Sequence, residues 1–555
     1  MKKYNVIWVF VDSVRRYYSD DDRSRLEYMD EFAKESVEFK NVVTSAPSTY
    51  MSVSAMMTGC HSYFISRNFS DFSFDDKQIN SLPHRLLSHG YENFSFWMHP
   101  VSRTYMRQIL PGVERAFWPR GFKNHLWWNN RMIVDLVKST LQKMTPSDSP
   151  KFFFVDFNCR EDPTTNECVK DVFEQFKAHG YDDSNSIMVL CSDHGYPDPG
   201  KDEGHPAYYR KMNVSHDLLL TDDNIMIPMS IRYPGCPKGK KVETTIGTID
   251  MMPTVMDILG LDRSSYCDAH GTSLLPLING HPEVSSDMAG RFQRSDSRFS
   301  MQTGKGTAIR NGEFKYIYYH DDIRGKGNEE FFDVINDPEE RVNLISSDDL
   351  TIQQGVSLFR RMYNKSEEEA FEFQLKYLLS RFEPEYEDLV MNSDSVLVLD
   401  SCNPIFADLI VSICRKIKPN IECVLLLVQH EEVEFFKFDN VISSEGSSWA
   451  EVAKADIPLD LINRLFDLVM VPYNTSEGRD NASLKSFLRK LSPKKAVWLD
   501  YNMEVPSGFS QKYNKNYIVA RWAGIRSDPL KAISSVKRKL IRILASVFRS
   551  NVKDN

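Results

Sequence analysis

The sequence of 555 residues lacks a long apolar run and an excess of positive charge. Its net charge is −9, which provides no overall attraction to nucleic acid, so we expect no nucleic-acid partner. The apolar run near the N-terminus covers only residues 6–11, which is too short for a signal peptide or a membrane-spanning helix. We therefore expect a cytoplasmic protein.

Cysteine pairs are also missing. The nine cysteines are scattered along the chain and form no Cys-x-x-Cys motif. An odd number without a regular spacing is typical of reduced thiols and argues against a disulfide framework or a zinc cage. The cysteine pattern therefore agrees with a cytoplasmic location.

The length of the chain excludes a single core and predicts several domains. Strand-like apolar runs fill the first part, a charged helical stretch follows, and a second series of runs begins near residue 390. We predict a catalytic domain at 1–345, a helical connection at 346–389, a Rossmann-like α/β domain at 390–525 and a basic amphipathic tail at 526–555. The third of these has no Gly-x-Gly-x-x-Gly turn after its first strand, so no dinucleotide site is predicted there.

Three apolar runs of the first part end in polar residues. They are residues 6–11 before Asp12, residues 152–155 before Asp156, and residues 187–191 before Ser192, Asp193 and His194. Continuous apolar runs indicate buried parallel strands, and ligands of open α/β sheets bind beyond the carboxyl ends of such strands. The alternative is that each aspartate only caps a following helix.

The tail at 530–549 alternates basic and apolar residues at helical spacing. Two interpretations stay open. The helix could lie on an anionic membrane surface, which would place the protein at the inner face of the membrane, or it could pack on the second domain with its charges in water.

Residues 44–59 combine a hydroxyl-rich turn, an apolar stretch and a final Thr58-Gly59 pair. This segment resembles the nucleophile element of the sulfatase and alkaline phosphatase superfamily. In sulfatases the nucleophile lies ten residues before that glycine, and Thr49 holds this place here. A threonine followed by an aromatic residue, as in Thr49-Tyr50, resembles the nucleotide pyrophosphatase and phosphodiesterase branch.

Further blocks resemble the same superfamily in the same order. They are residues 192–195, 227–235, 250–260, 270–277, 309–317 and 332–340. The resemblance covers about residues 4 to 345, and nothing comparable covers residues 346–555. It implies an α/β fold with an alkaline-phosphatase-like, mostly parallel sheet flanked by helices.

The resemblance also implies a catalytic site. Thr49 would be the nucleophile, and Asp12, Asp193 and His194 would bind one divalent metal together with Thr49. Such ligands suit Zn²⁺ or Mn²⁺, while Ca²⁺ and Mg²⁺ stay open. A second metal is left open, because Arg160 stands where dinuclear relatives have a histidine four residues after an aspartate.

Four further side chains are candidates for binding the anionic substrate: His216, His205, Arg103 and Lys201. The first two follow the Asp193-His194 pair, where relatives place a lysine or histidine that contacts the substrate anion. The alternative for each of the four is a solvated surface side chain.

Departures from the sulfatase pattern indicate the reaction. Sulfatases convert a cysteine or serine to formylglycine, whereas Thr49 cannot be converted; Met51 and Val53 replace the motif's proline and arginine, and Ser13 replaces a calcium-binding aspartate. We therefore expect a phosphodiesterase or phosphoryl transferase that forms a phosphothreonine intermediate and acts on a small anionic ester or a glycan. An unusual sulfatase and an inactive binding protein are the alternatives, and the oligomeric state is left open.

Overall fold

The structure is a computed structural model that describes the chain in separate stretches. These are residues 2–16, 26–62, 80–98, 110, 112–119, 129–144, 147–158, 163–196, 219–266, 269–281, 288, 290–297, 305–321, 329–379, 384–399, 404–427, 438–443, 466–473, 495–500 and 517–519. The chain divides into two compact units, Met1–Ala370 and Phe371–Asn555.

The first unit contains a sheet of eight strands. The strands are β1 Asn5–Asp12, β2 Val37–Val43, β3 Glu92–Phe96, β4 Arg115–Phe117, β5 Lys151–Asn158, β6 Ser186–Cys191, β7 Met226–Arg232 and β8 Lys240–Gly247. Their order across the sheet is β4-β3-β5-β1-β6-β7-β2-β8. All neighbours are parallel except β7, which runs antiparallel to both β6 and β2.

Helices cover both faces of this sheet. They are α1 Glu27–Lys34, α2 Thr49–Thr58, α3 Leu82–Ser88, α4 Asn130–Lys143, α5 Thr165–Ala178, α6 Asp222–Ile225, α7 Met251–Ile258 and α8 Leu275–Ile278. In β1, Trp8 packs in the core on one face and Val9 in the core on the other. A central strand buried on both sides explains the unbroken apolar run, and the predicted mostly parallel sheet flanked by helices is confirmed.

A second, antiparallel sheet completes the first unit. It contains β9 Gln293–Asp296, β10 Lys305–Arg310, β11 Phe314–Asp321 and β12 Glu329–Asp333 in the order β12-β11-β10-β9. The long helix α9, Leu350–Leu379, places Phe359 and Tyr363 in one apolar cluster with Tyr316 of β11. This packing extends the first unit beyond residue 345, where the sequence predicts the end of the catalytic domain.

The second unit is built on a smaller sheet. Helices α10 Pro384–Met391 and α11 Pro404–Ile417 accompany strands β13 Ser395–Leu399, β14 Glu422–Leu427, β15 Asn440–Ser443, β16 Leu468–Tyr473, β17 Lys495–Asp500 and β18 Tyr517–Val519. All paired strands are parallel, in the order β15-β14-β13-β16-β17-β18. This is the strand order of a doubly wound α/β fold.

For membrane spans and for cysteines, the structure gives information on the described residues only. Within those stretches, no helix combines the length and the apolar character that crossing a bilayer requires. The tail at 530–549 lies outside them. The described cysteines form no disulfide bond with one another.

Candidate metal and nucleophile site

Two neighbouring strands carry the proposed metal ligands. β1 and β6 run parallel side by side, so Asp12 at the end of β1 meets Asp193 and His194 just after β6. One ligand atom from each of the three residues lies within 4.8 Å of the other two, and all three residues are buried. Sheet geometry therefore brings two carboxylates and an imidazole from distant parts of the sequence to one point.

A hydrogen bond holds the imidazole of His194 in one orientation. Its Nδ1 lies 2.7 Å from the carbonyl oxygen of Gly195, to which it donates a hydrogen bond. The other ring nitrogen, Nε2, lies 3.4 Å from Oδ1 of Asp12 and 3.6 Å from Oδ2 of Asp193. Metal-binding histidines commonly use a hydrogen bond on one nitrogen to present the other.

The carboxylate of Asp193 presents one oxygen in the same way. Its Oδ1 accepts hydrogen bonds from the backbone N–H groups of Ser13 at 3.2 Å and His194 at 2.8 Å. Its Oδ2 is buried and receives no hydrogen bond. Burial raises the pKa of Asp193 to about 6; the charge of Asp12 acts in the same direction, whereas His194 opposes it.

Asp12 and Asp193 bring two buried carboxylates close together, and buried charge is costly unless it is paired or coordinates a metal. A divalent cation bound between them would compensate their charge, and carboxylate and imidazole ligands would suit Zn²⁺ or Mn²⁺. The orphaned Oδ2 of Asp193 and the orientation of the His194 ring therefore both fit a metal at this point.

The hydroxyl group of Thr49 faces the same cluster. Its Oγ1 lies 3.4 Å from Oδ1 of Asp12 and 3.3 Å from Nε2 of His194. Thr49 is the first residue of α2, and the preceding Ser48 makes no side-chain capping hydrogen bond. The first-turn N–H groups of a helix have no partner within the helix, and the positive end of its dipole favours an anion. The first turn of α2 therefore favours a negatively charged group next to Thr49.

The glycine of the Thr58-Gly59 pair ends α2. Gly59 adopts a left-handed conformation with φ of 69°, and its N–H donates to the carbonyl oxygen of Ala55. A Cβ atom there would lie 3.0 Å from Cε of Met252 and 3.1 Å from Cβ of Ala269. The spacing from Thr49 to Gly59 thus equals the length of the helix that carries the hydroxyl.

Ser13 has a role that the sequence does not indicate. It turns the chain after β1 with a left-handed φ of 65°. Its hydroxyl group lies 3.1 Å from Oδ1 of Asp12, to which it donates. Where sulfatases carry a second aspartate, this chain therefore has a side chain that orients the first one.

The remaining candidates fall outside the cluster. Asp156, expected at a strand end, lies within β5 and accepts a hydrogen bond from the N–H of Met98 at 3.1 Å. The four substrate-binding candidates are outside the described residues and stay predictions: His216, His205, Arg103 and Lys201. Arg160, which bears on a second metal, is also outside.

Sequence reasoning missed the close packing at Gly195, next to His194. The N–H of Gly195 donates to the carbonyl oxygen of Asn224 at 2.7 Å. A Cβ atom on Gly195 would lie only 2.0 Å from the carbonyl oxygen of Asp223. The Asp-His-Gly sequence is the only local signal, because the partner segment, α6, lies about 30 residues later.

A buried charge cluster fixes the beginning of α6. Nζ of Lys315 lies 3.0 Å from Oδ1 of Asp222 and also forms an ion pair with Glu340, while Arg310 binds Asp222 at 3.0 Å. Burial raises the pKa of Glu340 to about 8, with Lys315 opposing the shift and Asp222 adding to it. The antiparallel sheet is thereby tied to the segment that contacts Gly195.

Comparisons with known proteins agree with this architecture. Residues 164–261 match the sequence model of a family described as Sulfatase, and residues 216–368 match the model described as N-sulphoglucosamine sulphohydrolase, C-terminal. The solved structure of a 2-O GAG sulfatase is similar with a TM-score of 0.51 at 17% identity, covering 66% of this chain and 93% of that one. At this identity the likeness shows the fold.

Two curated relatives differ in their named activities. Arylsulfatase K of Mus musculus is 23% identical over 262 residues, which are 42% of this chain and 43% of that protein. Lipoteichoic acid synthase 1 of Bacillus subtilis is 25% identical over 255 residues, which are 42% of this chain and 36% of that protein. The chain therefore spans less than half the length of either relative.

Proposed function

Because the chain belongs to the sulfatase and alkaline phosphatase-like superfamily, we propose that it is a metal-dependent phosphodiesterase or phosphoryl transferase. The observation that carries the proposal is the position of Thr49 Oγ1, 3.4 Å from Asp12 and 3.3 Å from His194. A hydroxyl group at a helix N-terminus beside a metal-competent cluster suits nucleophilic attack on an anionic ester.

Thr49 acts as the nucleophile, and Asp12, Asp193 and His194 hold the divalent ion. A bound ion lowers the pKa of an oxygen that it coordinates, which makes the hydroxyl group of Thr49 a competent nucleophile at neutral pH. The first turn of α2 binds the negative charge of the substrate through its backbone N–H groups.

The reaction has two steps. Oγ1 of Thr49 forms a bond to phosphorus and gives its proton to solvent water, while the bond to the leaving group breaks and its oxygen takes the electron pair and a proton from solvent, leaving as the alcohol. Water or an acceptor hydroxyl group then attacks the phosphothreonine and restores Thr49. The named relatives include hydrolases and a synthase, which supports either acceptor.

We propose a glycan or a lipid-linked glycan as the substrate class. Two similar proteins support this class: the solved structure of a 2-O GAG sulfatase, and lipoteichoic acid synthase 1 of Bacillus subtilis. A true sulfatase is the second candidate, since most named relatives are sulfatases. The threonine at position 49 argues against it, because formylglycine forms from cysteine or serine.

The test uses the full chain, stripped with a chelator and reloaded with Mn²⁺ or Zn²⁺. We expect turnover of bis-p-nitrophenyl phosphate that needs the metal. The Thr49→Ala variant should lose on the order of 10³-fold or more in kcat, whereas Thr49→Ser, which keeps a hydroxyl group, should retain much of it. Acid quenching followed by peptide mass spectrometry should find the phosphoryl group on Thr49.

Three outcomes would count against the proposal. Equal turnover by Thr49→Ala would remove Thr49 from the mechanism. Turnover of p-nitrophenyl sulfate alone would favour the sulfatase. Metal binding without turnover of either ester would favour the inactive binding protein.

A further inference from the structure

One backbone carbonyl group beside the site accepts hydrogen bonds from two buried hydroxyl groups. The carbonyl oxygen of Asp193 lies 2.7 Å from Oγ1 of Thr44 and 2.5 Å from Oγ of Ser52. The two hydroxyl oxygens are 2.7 Å apart. All three residues are fully buried, so no solvent competes for these bonds.

The three residues belong to three different segments. Thr44 follows β2, Ser52 lies in α2, and Asp193 follows β6. Ser52 and Asp193 are 141 residues apart in the sequence, and Thr44 and Asp193 are 149 apart. The hydroxyl pair therefore fastens the helix that carries the nucleophile to the segment that carries two metal ligands.

The position of Ser52 in α2 places its hydroxyl group on the same side of the helix as Thr49. Residues three apart lie on the same face of a helix, so Ser52 and Thr49 both face the segment after β6. Asp193 is thus held at two ends: its Oδ1 by the backbone N–H groups of Ser13 and His194, and its carbonyl oxygen by the two hydroxyl groups.

Another hydroxyl group of α2 shows the usual arrangement. Oγ1 of Thr58 donates to the carbonyl oxygen of Ser54 at 2.8 Å, within its own helix. Ser52 instead directs its hydroxyl group across the site. A buried polar side chain with that orientation fixes the distance between the elements that it joins, because its loss leaves a buried carbonyl oxygen with fewer donors.

We infer that Thr44 and Ser52 are positioning residues that set the distance between Thr49 and the Asp193-His194 pair. The inference rests on the proposed function of the same site. A displacement of about 1 Å between reacting groups costs about 10²-fold in rate, and loss of a group that orients a metal ligand costs about 10- to 100-fold in metal affinity or activity.

The experiment compares four variants of the full chain. Thr44→Val and Ser52→Ala remove the two hydroxyl groups, and Thr44→Ser keeps the hydroxyl group of Thr44. Thr58→Val is the matched control, because it is the same isosteric change at a buried threonine away from the metal segment. Calorimetry measures the Mn²⁺ affinity of each metal-free variant. Assays with bis-p-nitrophenyl phosphate give kcat and KM, and thermal scanning gives Tm.

We expect Thr44→Val and Ser52→Ala to lose about 10- to 100-fold in kcat and in Mn²⁺ affinity, with KM changed far less. Thr44→Ser, which keeps the hydroxyl group, should have nearly wild-type kcat and Mn²⁺ affinity. Thr58→Val should also keep the wild-type kcat and Mn²⁺ affinity, even if its Tm falls as far as the Tm of Thr44→Val or Ser52→Ala. Wild-type kcat and Mn²⁺ affinity in Thr44→Val and Ser52→Ala would overturn the inference.

The two proposals fail in different ways. A wild-type protein that neither binds Mn²⁺ nor turns over the ester refutes the proposed function. A wild-type protein that does both, together with Thr44→Val and Ser52→Ala variants that match Thr58→Val in both readouts, refutes only the positioning role.

Discussion

Replacing Gly195 by alanine perturbs the metal site through the backbone alone. The added Cβ atom would lie 2.0 Å from the carbonyl oxygen of Asp223 and 2.9 Å from Cβ of Arg15, whereas ordinary contacts begin near 3.4 Å. More than 1 Å must therefore open between Gly195 and α6. Since His194 precedes Gly195 and donates to its carbonyl oxygen, the imidazole must move as well.

The magnitudes follow from this displacement. Overpacking costs about 1–3 kcal/mol, and the reduced freedom of the unfolded chain offsets about 0.4–1 kcal/mol, so the free energy of unfolding should fall by roughly 1–2 kcal/mol. A 1 Å displacement of a catalytic group should lower kcat about 10²-fold. Urea titration, Mn²⁺ calorimetry and ester turnover measure the three effects.

Gly312→Ala is the matched control for this change. Its Cβ atom would meet only Oγ1 of Thr245, at 3.7 Å, and the backbone of Gly312 is outside the left-handed region. We expect unchanged turnover and an unchanged or slightly higher free energy of unfolding. If Gly195→Ala kept wild-type Mn²⁺ affinity and kcat, the packing of α6 would not control the position of His194.

Two further predictions concern the buried charge cluster. Lys315→Met should lower the free energy of unfolding by about 3–5 kcal/mol in urea titration, because it removes a buried cation that pairs with the buried carboxylate of Asp222. Lys238→Met, in an exposed ion pair, should change it little, and equal losses would contradict the argument. With its pKa raised from 4.5 to about 8, Glu340 holds in the folded state a proton that the unfolded chain releases, so the free energy of unfolding should fall as the pH rises through that window. Glu340→Gln should remove this dependence, by up to about 1.4 kcal/mol per pH unit, and an unchanged slope in urea titrations across that range would refute the assignment.

The sequence indicates the parts of the site that depend on local patterns. Asp12 directly follows an apolar run, Asp193 follows another after one intervening serine, and neighbouring parallel strands bring such positions together. Thr49 follows from its spacing to Gly59, which corresponds to the length of α2. Both signals lie within about a dozen residues, so they can be read without knowing the fold.

Contacts between distant segments leave no such pattern. Nothing near Thr44 or Ser52 indicates a bond to a carbonyl group more than 140 residues away. The direction of β7 was also missed, because an apolar run reads the same for parallel and antiparallel strands. Asp156 looks like a strand end, yet β5 continues to Asn158, which pairs with Asp12 of β1, and the Asp156 carboxylate accepts a hydrogen bond from the N–H of Met98.

The central place of β1 affects how the protein is made on the ribosome. In the sheet Val6 pairs with Phe152 and Ile187, so β1 leaves the exit tunnel well before either neighbouring strand exists. At about 5–20 residues per second the delay is roughly 10–30 seconds. During that time the apolar segment 6–11 has neither of its partner strands, so it is exposed to non-native association with other apolar segments.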